Sequence, residues 1–238
     1  MKTLRLVILV VSPFFLFTRL SGSIYYVAPP DHPETPGSDI SGDGSYSAPW
    51  GSFQKAFYMA GPGDTVYFRG GVYYSEETNM INPQNYGQPI GSSGTPENPI
   101  CYFGYPGDVA EGSLPILDCQ HHCENYPPSM YGAIYNGAIG MVNVQFIHFK
   151  DLEIRNVFQC DDTIDGAIGA SDCANLTFEH VIIHNVGERG YWIQGGAWGD
   201  IAGAPEPPWP YDTTRWINCD TYDLCDTIGE NIGNAAQI

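Results

Sequence analysis

Positive charge is what this sequence has least of. Nine Lys and Arg residues stand against 27 Asp and Glu, a formal net charge of −18. After Lys55 the only lysine is Lys150. A chain this acidic repels nucleic acid and anionic membrane surfaces, which excludes both as partners. It can engage an acidic polymer only through a bridging cation or a local basic patch. Long apolar runs are missing too. The longest, Leu6 to Phe17, is broken by Ser12 and Pro13. It is shorter than the ~20 residues that cross a bilayer as a helix.

That run fits an export signal instead. Lys2 and Arg5 precede it, and the small residues Ser21, Gly22 and Ser23 follow, the layout of a cleaved secretory precursor. Residues 1–23 are therefore expected to be a signal peptide, and 24–238 one secreted, extracellular domain with no membrane association after cleavage. Cleavage removes Lys2, Arg5 and Arg19 and no acid, which leaves six basic against 27 acidic residues. Seven cysteines remain: Cys101, Cys119, Cys123, Cys160, Cys173, Cys219 and Cys225. An oxidising compartment permits disulfides, but an odd count leaves one over and the pairing is not legible. Cys119 and Cys123 flank His121 and His122. That spacing is within range for zinc, yet one such pair in a Pro- and Asn-rich loop favours a local disulfide or buried thiols.

Glycine (28), proline (19) and aromatics (13%) are plentiful and charged residues few (15%), so strands and loops should dominate. Ile24–Ala28 reads as a short strand, followed by a Pro- and Gly-rich loop to Pro49. Phe53, Ala56, Phe57 and Ala60 then fall at i, i+3, i+4 and i+7, one face of a short helix. Gly61-Pro62-Gly63-Asp64 stops it. Strands follow at Thr65–Arg69, Val72–Tyr74, Pro99–Phe103 and Pro115–Asp118, with a polar loop from Ser75 to Asn98 and a turn at Tyr105-Pro106-Gly107.

From Val144 the text repeats. Phe149–Val157 matches Phe178–Val186 at an offset of 29, and Trp216–Leu224 is a degenerate third copy 38 further on. A second strand follows each copy, beginning at Gly166, Gly190 and Ala235. Short-strand repeats of this length mean a β-solenoid, in which parallel strands pair from coil to coil. Leu152, Val181 and Cys219 should form one inward stack, and Ile154, Ile183 and Thr221 another. Asn156, Asn185 and Asp223 fall at one equivalent place beside the turn, where their side chains are expected to bond along the axis.

At this point the residues resemble a known group. Tyr25-Tyr26-Val27-Ala28, Ser47-Ala48-Pro49-Trp50, Gln54-Lys55-Ala56 and Pro62-Gly63-Asp64-Thr65-Val66-Tyr67-Phe68-Arg69-Gly70-Gly71-Val72-Tyr73 look like the first coil of pectate-lyase-like proteins. Gly94–Ile100 and Tyr105-Pro106-Gly107 continue the likeness. The resemblance implies an all-β, right-handed parallel β-helix capped at its N-terminus by the short helix. Family 9 polysaccharide lyases are the nearest group, because Asn218-Cys219-Asp220-Thr221-Tyr222-Asp223 resembles a segment leading into their calcium and catalytic region. The resemblance implies β-elimination on pectin or another uronate polymer, with carboxylate-bound calcium and a lysine base. Calcium neutralises the uronate carboxylate and acidifies the α-proton, and an amine removes it. The sequence departs from that pattern. Gly233 and Asn234 stand where those enzymes have Asp-Gly, and Ile238 falls near the lysine position.

Strand alternation sends Glu153, Arg155, Ile182, His184, Asp220 and Tyr222 outward. Arg155, His184 and Tyr222 then share one column, a candidate glycan-binding face, with Trp198, Trp209 and Tyr211 of an inserted loop as one wall. The bland alternative is ordinary solvent-facing residues. Asp220, Asp223, Asp226 and Glu230 are dense enough in oxygen ligands to hold calcium, although no EF-hand loop is present. A hydrolase would need two carboxylates on one groove, and Asp161, Asp162, Asp165 and Asp172 are candidates only because they cluster near coil turns. Asn175-Leu176-Thr177 fits the N-glycosylation pattern. The competing functions are a lyase, a hydrolase on the same fold, and a non-catalytic glycan-binding or surface β-helix. Ile238 closes a strand with nothing capping it, so the sequence reads as the N-terminal part of a longer β-helix, a monomer when full length. Left open, such a solenoid exposes core and strand edges.

Overall fold

In the computed structural model, short strands stack coil upon coil around one apolar interior; residues 22–75, 78–81, 91–120, 137–157, 166–187, 189–194, 213–224 and 234–237 are described. The chain opens with β1 (Ile24–Val27) and helix α1 (Phe53–Met59). β2 (Thr65–Phe68), β3 (Gly71–Tyr74), β4 (Asn79–Ile81) and β5 (Ile100–Gly104) follow. Helix α2 (Pro106–Ala110) and β6 (Pro115–Asp118) complete the N-terminal coils. The repeating region holds β7 (Gly137–Val142), β8 (Gln145–Val157), β9 (Gly166–Ser171) and β10 (Ala174–Val186). β11 (Arg189–Gln194), β12 (Thr214–Ile217), β13 (Asp220–Leu224) and β14 (Asn234–Gln237) end it.

Every ladder between these strands is parallel. They make three faces. The first runs β1-β2-β5-β8-β10-β12 and the second β3-β6-β8-β10-β13, sharing the long strands β8 and β10. The third is β4-β7-β9-β11-β14. The registers reproduce the sequence offsets, with Phe149 on Phe178 and Phe178 on Trp216.

The first and second faces meet at a corner made by one residue per coil. Asp151, His180 and Asn218 take left-handed backbone, with φ of 55°, 50° and 50°. Asn156, Asn185 and Asp223 do the same at the next corner, with φ of 58°, 54° and 51°. Asn and Asp tolerate this region because their short polar side chains bond locally. Each corner also shifts the inward–outward alternation by one. Ile147 and Phe149 point inward, then Leu152 and Ile154, then Val157, all at most 2% exposed. The Leu152–Val181–Cys219 and Ile154–Ile183–Thr221 stacks stand as expected from the repeat, with Cys219 packed against the core.

The corner side chains bond along the axis. Asn156 Nδ2 donates to Asp118 Oδ1 at 2.8 Å, and Asn185 Nδ2 donates to Asn156 Oδ1 at 2.5 Å. At the other corner His180 Nδ1 lies 3.1 Å from Asp151 Oδ1, and Asn218 Nδ2 lies 3.2 Å from His180 Nε2. A carboxylate only accepts, so the His180 ring donates from Nδ1 and accepts at Nε2.

A column of rings fills the interior: Tyr102, Phe149, Phe178 and Trp216 lie near-parallel, 5.3, 5.8 and 6.2 Å apart. Burying each such side chain contributes roughly 1.5–3 kcal/mol. Helix α1 closes the N-terminal end as expected. Ser52 Oγ accepts from the Lys55 N–H at 3.0 Å, and Phe53, Ala56, Phe57 and Ala60 are buried. Arg69, 4% exposed, bolts the opening loop to α2, with Nε donating to Asp108 at 2.7 Å and Nη2 to Glu34 at 3.2 Å. Its guanidinium also lies 5.0 Å from the Tyr46 and Tyr105 ring centres.

Three elements differ from the sequence reading. Tyr105-Pro106-Gly107 opens a short helix instead of a simple turn, since Pro106 sits at the helix start where its missing N–H costs nothing. β4 crosses the stretch read as loop, and β7 precedes the first repeat. Asn175 of the glycosylation pattern lies in a strand, β10, as the sequence places it, with its Oδ1 accepting from Thr213 Oγ1 at 3.2 Å.

Candidate functional site

Arg155, His184 and Tyr222 occupy one outward column of the second face, on three successive coils. Register extends the column backwards to Asp118 and then to Tyr74. Arg155 is held from two sides. Its Nε donates to Asp118 Oδ2 at 2.8 Å and its Nη1 to Glu153 Oε1 at 3.2 Å. The same Glu153 oxygen lies 3.1 Å from His184 Nε2. The His184 ring in turn lies flat on Tyr222, centres 4.9 Å apart and planes 4° apart.

Two members of the column are shifted by their partners. The hydrogen bond that Arg155 donates to Asp118 raises Arg155, against the smaller effect of burial. Burial alone would raise the Asp118 carboxyl, but bonds from Asn156, Arg155 and the Gln120 N–H outweigh it and hold it below the usual range. The Arg155–Asp118 ion pair thus sits in a column with an exposed aromatic at each end, Tyr74 at 63% and Tyr222 at 49%. Tyr74 also borders a cleft of about 710 Å³ that reaches Asp39, Ser52 and Asn79 of the opening coils.

A second cluster, on the first face, was not picked out in the sequence. Glu179 accepts from Lys150 Nζ at 2.7 Å and lies 3.1 Å from His148 Nε2. The Lys150 bond pulls the Glu179 carboxyl down, and the same bond raises the Lys150 ammonium. Burial lowers His148 despite its carboxylate neighbour. The bond to Glu179 thus favours the charged form of Lys150, the only lysine after Lys55.

The remaining sequence candidates divide. Asp220 is exposed on β13, in the Glu153 and Ile182 column, and Asp223 sits at the left-handed corner. Asp226, Glu230, Trp198, Trp209 and Tyr211 lie outside the described residues, as do Asp161, Asp162, Asp165, His121, His122 and Cys123. Asp172 takes φ 53° beside β9, and burial raises its carboxyl. Cys101 and Cys219 are thiols, and Cys119 and Cys173 are buried.

Asn234, where the lyase pattern has glycine, opens β14 on the third face. That face is distinct from the one bearing Arg155, His184 and Tyr222. Trp192 is its outward aromatic, half-buried and paired with Gly169, while Tyr191 and Ile193 on either side point inward. Gly140 occupies the same column one coil earlier.

The comparisons with known proteins agree with this architecture. Residues 26–237 match the family model for the Pel9A-like right-handed β-helix region. Pectate lyase PEL9 of Emericella nidulans is 30% identical over 185 residues, which are 76% of this chain and 38% of that protein. A rhamnogalacturonan lyase superposes with a TM-score of 0.58 at 18% identity, covering 90% of this chain and 50% of that one. Pectate lyase Pel9A gives 0.52 at 19%, covering 90% and 45%. A GH136 lacto-N-biosidase from Eubacterium ramulus gives 0.52 at 16%, covering 85% and 34%. These likenesses establish the fold, and the chain spans half or less of the length of each relative. The chain belongs to the Pel9A-like right-handed β-helix family.

Proposed function

We propose that this chain acts on acidic polysaccharide outside the cell, as part of a lyase of the pectate-cleaving kind. The observation that carries the reading is the family match across residues 26–237. The second face supports it, with an exposed Tyr222 stacked on His184 beside an ordered guanidinium. Sugar faces stack on such rings, and their hydroxyls bond to such charged groups. Export through residues 1–23, and calcium on Asp220, Asp223, Asp226 and Glu230, belong to the same proposal. The second reading is glycan binding without cleavage. It draws on two observations: Lys150 is tied to Glu179, and Gly233 and Asn234 replace the family's Asp-Gly.

The test is to mix the secreted protein with polygalacturonate and with a neutral glucan, in calcium and in chelator. Elimination shows as ultraviolet absorbance of the unsaturated product, and binding shows as retarded migration in a polymer-containing gel. Calcium-dependent absorbance on polygalacturonate establishes the lyase. Retardation without absorbance establishes the binding reading. Neither signal on any acidic polymer overturns both. A melting temperature identical in calcium and chelator removes the metal from the proposal.

A further inference from the structure

The first face carries a groove that the second-face column does not use. It encloses about 250 Å³ beside β8, β10 and β12. That is below the ~300–1,000 Å³ of pockets for drug-sized ligands, so it suits one sugar ring with its substituent rather than a length of chain. Pro96, Pro99 and Phe146 form apolar walls, and His148, Thr177 and Arg215 project from one column across three successive coils. Adjacent rungs are about 4.8 Å apart, so Thr177 stands on the rung between His148 and Arg215, whose backbones are about 10 Å apart.

Charge distinguishes this groove. In a chain with 27 acidic residues, no carboxylate among the described residues lines it. Arg69, Lys150 and Arg155 each pair with a carboxylate. Arg215, exposed at the groove, makes no ion pair among the described residues. The nearest acid in the adjoining column, Glu179, is already engaged by Lys150 and His148. Two lining residues are joined, Thr213 Oγ1 donating to Asn175 Oδ1 at 3.2 Å. Phe146 holds a left-handed φ of 54°, which a bulky aromatic adopts only under constraint, and this places its ring as a wall.

We propose that this groove binds a single uronate residue, with Arg215 pairing with the sugar carboxylate and Thr177 bonding to a ring hydroxyl. The inference rests on the acidic-polysaccharide reading above and adds the group that recognises the acid. A planar guanidinium takes a carboxylate through two parallel hydrogen bonds, which an ester cannot reproduce. The groove lies on a different face from Tyr222, so it serves as a separate holding point for the polymer.

Titration calorimetry of the full chain with oligogalacturonate, and with its methyl ester, tests this. The wild type is expected to bind the acid and to lose roughly tenfold or more on the ester, the worth of a charge-assisted hydrogen bond. Arg215→Ala should reduce binding of the acid to the level of the ester, and Arg215→Lys should restore part of it. Equal melting temperatures for all three proteins check the fold. Unchanged affinity in Arg215→Ala with loss in Tyr222→Ala overturns the groove and leaves the second-face reading standing. Equal affinity of the wild type for acid and ester also overturns the groove. Binding of neither oligomer overturns both readings together.

Discussion

Replacing Asn156 tests the corner that separates the second face from the turn beyond it. Asn156 does two things at once. Its side chain donates to Asp118 and accepts from Asn185, and its backbone holds φ 58°. Two substitutions separate these roles. Asn156→Gly removes both bonds and leaves the left-handed backbone unstrained; at about 1 kcal/mol per bond the loss is about 2 kcal/mol. Asn156→Ala removes the same bonds and, unlike the glycine variant, keeps a Cβ in that region, which sets it about 1–2 kcal/mol below glycine. For a chain of this size each kcal/mol moves the melting temperature by roughly 2–4 °C. The glycine variant should therefore melt roughly 4–8 °C below wild type, and the alanine variant several degrees lower again. Scanning calorimetry on all three proteins gives the answer. A glycine variant as stable as wild type would mean that the axial bonds contribute nothing. An alanine variant equal to or better than glycine would refute the claim that backbone conformation dictates the residue at this corner.

Further outcomes follow from the other networks. Arg69→Met should cost about 3–5 kcal/mol in urea unfolding, because it strands Asp108 in a buried pair. Glu34→Gln, at the exposed end of that network, should cost under about 1 kcal/mol. Asp118 is held below its ordinary range, so its network stabilises the fold above about pH 4 and the benefit fades as pH falls through its lower folded value. Melting scans at about pH 7 and about pH 3 should show a smaller acid loss in Asp118→Asn than in wild type. Phe178→Ala removes the centre of the ring column and should cost about 3–5 kcal/mol by denaturant titration.

The fold was legible because its period was. Phe149, Phe178 and Trp216 align by eye, and a repeat that long with strand-like residues admits few architectures. The corner columns were half legible: Asn156, Asn185 and Asp223 stood out as polar residues in apolar strands. The other corner did not, since Asp151, His180 and Asn218 are three different residue types whose common property is backbone conformation. β7 escaped notice because Gly137–Val142 has glycine where a strand ordinarily shows side chains. At the site, alternation placed Arg155, His184 and Tyr222 together. It could not show that Arg155 is clasped by Asp118, which comes from a coil with little sequence likeness to the repeat. The same limit hid Glu179 between His148 and Lys150, and the groove at Arg215. Each depends on which coil stacks on which, and on how far the intervening loop displaces the count.

The unequal spacing of the coils has a consequence for how such a molecule changes over time. Ala174 pairs with Gln145, 29 positions away, whereas Ile147 pairs with Ile100, 47 positions away. Closing the longer segment costs only about 0.4 kcal/mol more, because the entropy of closure grows with the logarithm of length. Residues added between coils are therefore nearly free, while a residue added within a strand would invert every side chain after it. Selection can lengthen the segments that rim the faces without disturbing the faces themselves, so a new polymer specificity can arise by insertion on an unaltered frame.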